Sequence, residues 1–222
     1  MTLPSTVALA ANSLAKSIEA GGRGEEVIVE LAELGQIRQK DLDDHRTNGA
    51  VFTPYSVAEE LVQQVGIDAQ DIVCDPSVGP GGFLLAAAEH KFRQGEAVPS
   101  ILEALRGIDI DPVTVEVART TLQLWGLWRG HEWLPVNHLI VGDALLDIPD
   151  DWFGRCDVVV GNPPFLGQLK SDTARDPARG EALRERFGAR YTAYLDESML
   201  FLLLGVEPVS YTHLTLPTKR IV

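Results

Sequence analysis

The sequence predicts a doubly wound α/β fold built on a parallel sheet. Four short apolar runs have the composition of buried strands, and helical patterns separate them along the chain. Strands that alternate with helices pair in parallel through right-handed crossovers. Three of the runs end in an aspartate, at Asp75, Asp109 and Asp143. Open α/β sheets bind ligands beyond the carboxyl ends of their strands, so these acids are expected along one ligand-binding edge.

Composition and charge narrow the class of protein. The chain has 222 residues, 45% of them hydrophobic, and a formal net charge of −13, which fits one domain with an appendage. No charge-free apolar run is long enough to span a bilayer, and the first residues lack the basic region of a secretory signal. We therefore expect a cytosolic protein without membrane contact. Because so acidic a chain is poorly suited to hold a polyanion unaided, any nucleic-acid surface must be local or come from another domain or subunit.

The two cysteines and five histidines indicate neither a disulfide nor a metal centre. Cys74 and Cys156 each fall inside a predicted strand and are expected to be reduced core residues. The histidines lack the spacing that metal ligands require. The sequence therefore predicts no metal.

The first 45 residues are predicted to form a small helical appendage. Residues 4–20 and 24–44 carry apolar side chains at helical spacing, with a glycine-rich break between them. No chemistry is visible in this part of the chain. Residues 52–54 then lead into a helix, for which Ser56 is the expected N-cap and Glu59 its capping-box partner. Taken alone, residues 52–54 would be an ordinary turn before a helix.

A glycine-rich loop links the first strand to the following helix. The strand ends at Asp75, and Ser77, Gly79 and Gly81 follow it. Glycines let a backbone approach a ligand closely, and a strand–loop–helix unit can cradle a ligand at the helix N-terminus. The third glycine of the dinucleotide fingerprint is missing, because Leu84 stands in its place. A tight turn without a ligand is therefore the alternative.

The second strand ends at Asp109, which Ile110, Asp111 and Pro112 follow. An acid at the end of the second strand suits the two hydroxyls of a ribose. An aspartate directly before a proline is a typical helix start, with the aspartate as N-cap. We therefore assign Asp109 to a ligand and Asp111 to capping. The alternative is that both acids are structural.

The fourth strand leads into the segment Asn162-Pro163-Pro164-Phe165. A residue before proline is held in an extended conformation, and the two prolines stiffen the turn. The segment therefore presents an amide, a backbone carbonyl and an aromatic ring at the carboxyl end of a strand; the alternative is a simple Pro-Pro turn. Residues 166–190 contain six arginine or lysine residues and are predicted to form a long loop, either a lid with substrate contacts or a solvated loop.

Five segments, taken in this order, resemble the motifs of the class I AdoMet-dependent methyltransferases, and specifically the N6-adenine DNA methyltransferases of restriction-modification systems. Each motif is modest alone, and their order carries the resemblance. It extends over about residues 46–204. The segments are Gly49 to Pro54, Asp75 to Phe83, Gly107 to Pro112, Gly142 to Ala144, and Asn162 to Phe165.

The resemblance implies a Rossmann-like enzyme of the prokaryotic cytoplasm. It would transfer a methyl group from S-adenosyl-L-methionine (AdoMet) to the N6 amino group of adenine in DNA. DNA would be bound through a target-recognition domain or a specificity subunit that is missing here. The catalytic residues so implied are Asn162, Pro163, Pro164 and Phe165. The AdoMet-binding residues so implied are Phe52, Thr53, Pro54, Asp75, Ser77, Gly79, Gly81, Asp109, Ile110, Asp143 and Ala144.

The chemistry of that reaction explains the residue types of the fifth segment, Asn162 to Phe165. Adenine N6 is a poor nucleophile because its lone pair is delocalised into the ring. The side-chain carbonyl of Asn162 and the backbone carbonyl of Pro163 could accept hydrogen bonds from the N6 hydrogens and so localise the lone pair. Phe165 could stack on a base flipped out of the duplex, a step that costs on the order of a few kcal/mol.

Two departures from the family pattern concern the second half of the chain. The family's sheet has seven strands, whereas about four are identifiable here. Residues 209–222 do not resemble a further strand but a translated sequencing-adapter tail. We therefore predict three parts: a helical region at 1–45, a truncated methyltransferase core at 46–208, and a non-native tail at 209–222. Such a fragment could be inactive alone.

Two alternative functions fit parts of this pattern. An Asn-Pro-Pro-aromatic motif also occurs in methyltransferases that modify release-factor glutamine or the N2 of guanine in ribosomal RNA. Residues 52–54, placed before the glycine loop, favour DNA adenine. A nucleotide-binding module without catalysis, such as a nicotinamide-cofactor domain, is the other alternative. The missing third glycine and the Asn-Pro-Pro-Phe segment count against it.

Overall fold

The strands form one sheet in which every neighbouring pair is parallel. The computed structural model describes residues 3–21, 24–44, 52–152, 155–163, 177–188, 191, 200–201, 204 and 214–215. The strands are β1 (Val73–Asp75), β2 (Leu105–Asp109), β3 (Leu139–Val141), β4 (Val158–Val160) and β5 (Leu214–Thr215). They lie in the order β3-β2-β1-β4-β5. The chain thus moves outward from β1 to β3 and then returns to the other side of β1.

Helices connect the strands and also precede them. Those of the described residues are α1 (Ser5–Glu19), α2 (Glu26–Asp44), α3 (Tyr55–Val65), α4 (Gly82–Arg93), α5 (Val98–Glu103), α6 (Pro112–Trp128), α7 (Ala144–Asp147) and α8 (Pro177–Phe187). A 3-10 turn at Asp150–Trp152 lies before β4. None of the described helices is both long enough and apolar enough to cross a membrane.

Both faces of the sheet are covered, as a doubly wound fold requires. Successive residues of a strand point to opposite faces, and β1 shows this directly. Val73 packs into an apolar core that includes buried residues of α4 and α6. Cys74 belongs to a second core, together with Leu183 and Phe187 of α8. The predicted fold class is therefore confirmed.

The two N-terminal helices pack on the outside of α6. Both α1 and α2 contact α6 as well as each other. Their buried residues, among them Val7, Leu14 and Leu31, share one apolar core with the residues of α4 and α6. The predicted helical region therefore packs on a helix of the α/β core, and α2 contacts α6, the helix that follows Asp111.

Most predicted elements are confirmed, and three details differ. The four predicted strands are present, and Cys74 and Cys156 are buried and reduced. Residues 177–187, predicted as loop, form α8, because Leu183 and Phe187 lie four residues apart on one buried face. Leu214–Thr215, where no strand was expected, pairs in parallel with Val159 and Val160.

The third difference is the start of α3. Ser56 is not its N-cap, because the helix begins at Tyr55 and follows Pro54, which is extended. The carbonyl of Pro54 accepts hydrogen bonds from the backbone N–H groups of Val57 and Ala58 at 3.0 and 3.1 Å. Ser56 is therefore already inside the helix.

Candidate active site

The strand order places the candidate catalytic segment beside the first strand-end acid. Val73 and Cys74 of β1 pair with Val158 and Val159 of β4, so the two strands end side by side. The order of connections reverses between them, and such a switch point opens a crevice outside the strand ends. Asp75 and the segment that begins at Gly161 therefore meet at the position where this fold binds ligands.

The approach of these two strand ends is close. A Cβ atom on Gly161 would lie 2.6 Å from Oδ1 of Asp75 and 3.1 Å from Oγ of Ser77. Asn162 is half-buried beyond it, and Pro163 is buried. Pro164 and Phe165 lie outside the described residues. Gly161, the residue directly before the catalytic segment, is thus packed against Asp75.

Asp75 is a buried carboxylate with unused hydrogen-bonding capacity. Its Oδ1 accepts hydrogen bonds from the backbone N–H of Ser77 at 2.9 Å and from the Ser77 hydroxyl at 3.3 Å. Its Oδ2 is buried and has no hydrogen-bond partner among the described residues. Burial raises the pKa of Asp75 to about 7, against the opposing effect of the Ser77 hydrogen bonds. A buried, partly unsatisfied carboxylate at a strand end is a candidate for binding a cationic group.

The glycine-rich loop connects β1 with the end of β2. Gly79 has a positive φ of 51° and donates its backbone N–H to Oδ2 of Asp109 at 3.1 Å. A Cβ atom on Gly79 would lie 3.3 Å from the ring of Phe52. Gly81, with φ of 89°, is the N-cap of α4. The structure therefore brings Phe52, Gly79 and Asp109 together.

Asp111 has the capping role that the sequence predicts, whereas Asp109 accepts backbone hydrogen bonds from both sides. Asp111 caps α6 by accepting the backbone N–H of Val113 at 3.0 Å. Asp109 accepts the backbone N–H groups of Gly79 and Asp111, one at each oxygen. Burial raises the pKa of Asp109, although these two hydrogen bonds oppose the increase. Each of its oxygens has a second lone pair, so Asp109 can still accept from a ligand hydroxyl.

Two apolar side chains are exposed next to Asp109. Ile110, which follows it, is 56% exposed. Val141 of β3 is paired with Asp109 in the sheet and is 53% exposed. Large apolar side chains that are exposed beside a ligand-binding edge suit a planar apolar group. The sequence predicts a role for Ile110 but does not single out Val141.

Asp143 lies at the edge strand, and both of its oxygens are engaged. It caps α7 through the backbone N–H of Leu145 at 3.0 Å, while its Oδ2 lies 2.6 Å from Nε of Arg179 on α8. Ala144, the next residue, is buried. The structure places Asp143 near Asp109, because the neighbouring Gly142 donates its N–H to the Asp109 carbonyl. The ion pair with Arg179 is not revealed by the sequence.

Phe52, Thr53 and Pro54 lie at the entry to α3, where Phe52 and Thr53 line the same small cavity. The ring of Phe52 lies against Gly79, whereas the Thr53 hydroxyl is buried without a hydrogen-bond partner among the described residues. Thr53 lines a small cavity together with Tyr55, Thr121 and Pro80. Of the three, Phe52 thus has the most direct contact with the glycine-rich loop.

We expect Gly161→Ala to destabilise the protein and disturb the site. Its new methyl group would meet Asp75 Oδ1 at 2.6 Å, and overpacking of this kind costs about 1–3 kcal/mol of unfolding free energy. Gly126→Ala in α6 is the matched control, because its Cβ would meet no atom closer than 3.6 Å and alanine favours a helix by up to about 1 kcal/mol. Chemical denaturation measures both. A Gly161→Ala variant as stable as the unaltered chain would contradict the close approach of the two strand ends.

The fold is that of the class I methyltransferases. A protein from Listeria monocytogenes, described as a class I S-adenosylmethionine-dependent methyltransferase, superposes with a TM-score of 0.55 at 13% identity, covering 92% of this chain and 63% of that one. A protein from Vibrio vulnificus YJ016, described as a modification subunit of a type I restriction enzyme, superposes with a TM-score of 0.51 at 23% identity, covering 82% of this chain and 36% of that one.

Within that class, the chain belongs to the N-6 DNA methylase family, whose model matches residues 38–195. A curated relative is the type I restriction enzyme EcoEI methylase subunit of Escherichia coli, 27% identical over 133 residues, which cover 58% of this chain. The matched region spans 26% of that subunit. The chain therefore corresponds to about a quarter of this relative.

Proposed function

We propose that this chain carries the catalytic core of a DNA methyltransferase, which transfers a methyl group from AdoMet to the N6 amino group of adenine as the modification enzyme of a restriction-modification system. One observation carries the proposal. Gly161, which directly precedes Asn162 and Pro163, packs against the end of β1, where Asp75 lies buried with an unsatisfied oxygen. A segment suited to a planar amino group thus adjoins a pocket suited to a cationic cofactor, and membership of the N-6 DNA methylase family supports the same chemistry.

The residues around the crevice fit AdoMet. The free Oδ2 of Asp75 can accept from the cofactor's ammonium group, and Asp109 retains lone pairs for the ribose hydroxyls. Ile110 offers an exposed apolar surface to the adenine ring. Ser77, Gly79 and Gly81 shape the loop between these groups. We assign Asp143 and Ala144 to the adenine side, and Phe52, Thr53 and Pro54 to the entry of the pocket.

Asn162 and Pro163 would activate the target amino group. When bound, AdoMet supplies a methyl group on a sulfonium, which needs an aligned nucleophile. The side-chain carbonyl of Asn162 and the backbone carbonyl of Pro163 accept hydrogen bonds from the two N6 hydrogens and localise the nitrogen lone pair toward the methyl group. Pro164 and Phe165 lie outside the described residues; we assign to Phe165 the stacking on the flipped base and to Pro164 the stiffness of the segment.

The DNA itself requires a surface beyond this chain. A formal net charge of −13 repels the phosphate backbone. The relatives are named as methylase or modification subunits of type I restriction enzymes, which supports a specificity subunit or a target-recognition domain as the partner. The substrate and these relatives together favour the cytoplasm of a prokaryotic cell.

A transfer assay tests the proposed function. The polypeptide that contains this chain would be incubated with methyl-labelled AdoMet and, in separate reactions, with unmethylated DNA, ribosomes or release factor. We expect label only in DNA, recovered as N6-methyladenine. Label confined to ribosomal RNA or to protein would overturn the proposal.

A further inference from the structure

We propose that Arg38, on the N-terminal helix α2, is a positioning residue that holds Asp109 ready for the ribose of the cofactor by acting through Asp111. This inference rests on the proposed function, because it concerns the same cofactor pocket. The sequence reveals no chemistry in the region that includes α2. The structure connects that helix to both sides of Asp109.

The first connection is a buried, two-pronged contact of Arg38. Its side chain reaches the start of α6, where Nη2 lies 2.5 Å from Oδ2 of Asp111 and Nε lies 3.2 Å from the hydroxyl of Thr114. The hydroxyl of Thr114 donates to the same Asp111 oxygen at 2.5 Å. Arg38 is 9% exposed and Thr114 is 1% exposed. The guanidinium is therefore fixed by two partners through two of its nitrogens, which arginine can provide and lysine cannot.

Asp111 passes this constraint to Asp109. The backbone N–H of Asp111 donates to Oδ1 of Asp109 at 2.9 Å, while the Asp111 carboxylate caps α6. Although burial would raise the pKa of Asp111, hydrogen bonds from Thr114 and Arg38 hold it below its usual value. Asp111 therefore fixes the turn between β2 and α6, and its backbone N–H orients the Asp109 carboxylate.

The second connection comes from the next residue of α2. The side-chain oxygen of Gln39 accepts the backbone N–H of Phe52 at 2.9 Å. Phe52 lies against Gly79, whose N–H donates to the other oxygen of Asp109. Two consecutive residues of α2 therefore support the two hydrogen bonds that orient Asp109, one through Asp111 and one through Phe52 and Gly79.

The charges of Arg38 and Asp111 also act on Asp109. Asp111 raises the pKa of Asp109, whereas Arg38 lowers it. Removing Arg38 would leave the Asp111 carboxylate without its ion-pair partner, two residues from Asp109. The Asp109 carboxylate would then be less well oriented and less readily ionised. Both changes would weaken the hydrogen bonds that it accepts from the ribose hydroxyls.

Calorimetric titration with S-adenosylhomocysteine tests this proposal on the 222-residue chain. We expect Arg38→Met to weaken binding about tenfold, the effect of losing one charge-assisted hydrogen bond. Arg38→Lys keeps the charge but not the two-pronged contact, so its affinity should lie between those of the unaltered chain and Arg38→Met. It also provides a result if Arg38→Met does not fold. Because Arg38 acts through Asp111, an Arg38→Met/Asp111→Asn double variant should bind no more weakly than Arg38→Met.

Arg129 supplies the matched control. It lies at the other end of α6 from Asp111, about 25 Å away at 1.5 Å per residue. There it forms an ion pair with the buried Glu89 of α4. Arg129→Met should lower the melting temperature yet leave the dissociation constant within about twofold, since it orients no group of the pocket.

Three results would overturn the inference. Unchanged affinity in Arg38→Met, together with a lowered melting temperature, would reduce Arg38 to a structural ion pair. Equal losses of affinity in Arg38→Met and Arg129→Met would point to general destabilisation. An unaltered chain that binds neither AdoMet nor S-adenosylhomocysteine would overturn the proposed function as well, and so is distinguishable from the other two.

Discussion

Replacing Asn162 with alanine is expected to slow methyl transfer by about a hundredfold or more, the range found when one group that stabilises a transition state is removed. The AdoMet dissociation constant should change by less than about twofold, because the side chain acts on the target amino group and not on the cofactor. Asn162 lies beyond Gly161, at the rim of the crevice, and is half-buried. Single-turnover rates and calorimetry on the polypeptide that contains this chain measure the two effects separately.

Pro163→Ala is the control for that experiment. It retains the backbone carbonyl that we assign to the second N6 hydrogen, while it loosens the turn and removes part of a buried ring. We therefore expect a smaller loss of rate than in Asn162→Ala. Near-normal turnover in Asn162→Ala would show that the proposed contact with N6 is wrong.

Replacing Asp75 with asparagine is expected to stabilise the cofactor-free protein at pH 8. The pKa of Asp75 is about 7 in the folded chain and near 3.8 without burial. The folded state therefore binds the Asp75 proton more tightly than the unfolded state does. The stabilising contribution is complete below about pH 4 and is lost as pH rises to about 7.

Asparagine carries no charge to bury, so the Asp75→Asn variant does not lose stability as the pH rises to about 7. Its advantage in unfolding free energy should increase between pH 5 and pH 8 and reach about 2 kcal/mol, after allowance for a buried amide hydrogen without a partner. Urea denaturation of both proteins at the two pH values measures the difference. An advantage independent of pH would show that Asp75 does not titrate in this range.

The same substitution should weaken cofactor binding. Ionised Asp75 attracts the ammonium group of AdoMet, so affinity for the unaltered chain should rise about eightfold between pH 6 and pH 7.5. In Asp75→Asn the affinity should be lower and nearly constant over this interval. The site would thus gain binding at the expense of stability, as functional sites often do.

The sequence identifies the elements whose signals are local. The run Val158 to Val160 predicts a strand by its β-branched composition, and Asp111 before Pro112 predicts a capped helix. Both are confirmed because adjacent residues determine them. The placement of Asp75 and Asp109 at one edge also follows, since parallel strands align their carboxyl ends.

Other features depend on distant contacts and leave no local signal. The ion pair between Arg38 and Asp111 joins residues 73 positions apart, and a single arginine on a charged helix predicts no partner. The helix α8 has only two buried residues, Leu183 and Phe187, among charged neighbours, so its periodicity is weak. The bond between Arg179 and Asp143 follows from the position of that helix.

The pairing of β1 with β4 has a consequence for how the protein acquires its pocket. The Asp157 carboxylate accepts the backbone N–H of Ile72, 85 residues away along the chain, whereas β1 meets β2 across a much shorter loop. Closing the longer loop costs roughly 1 kcal/mol more chain entropy. The strands that hold the ribose acid can therefore assemble first, and the crevice between Asp75 and Asn162 forms when β4 docks. During synthesis, a nascent chain would gain the ribose side of the pocket well before it gains the side that handles the target base.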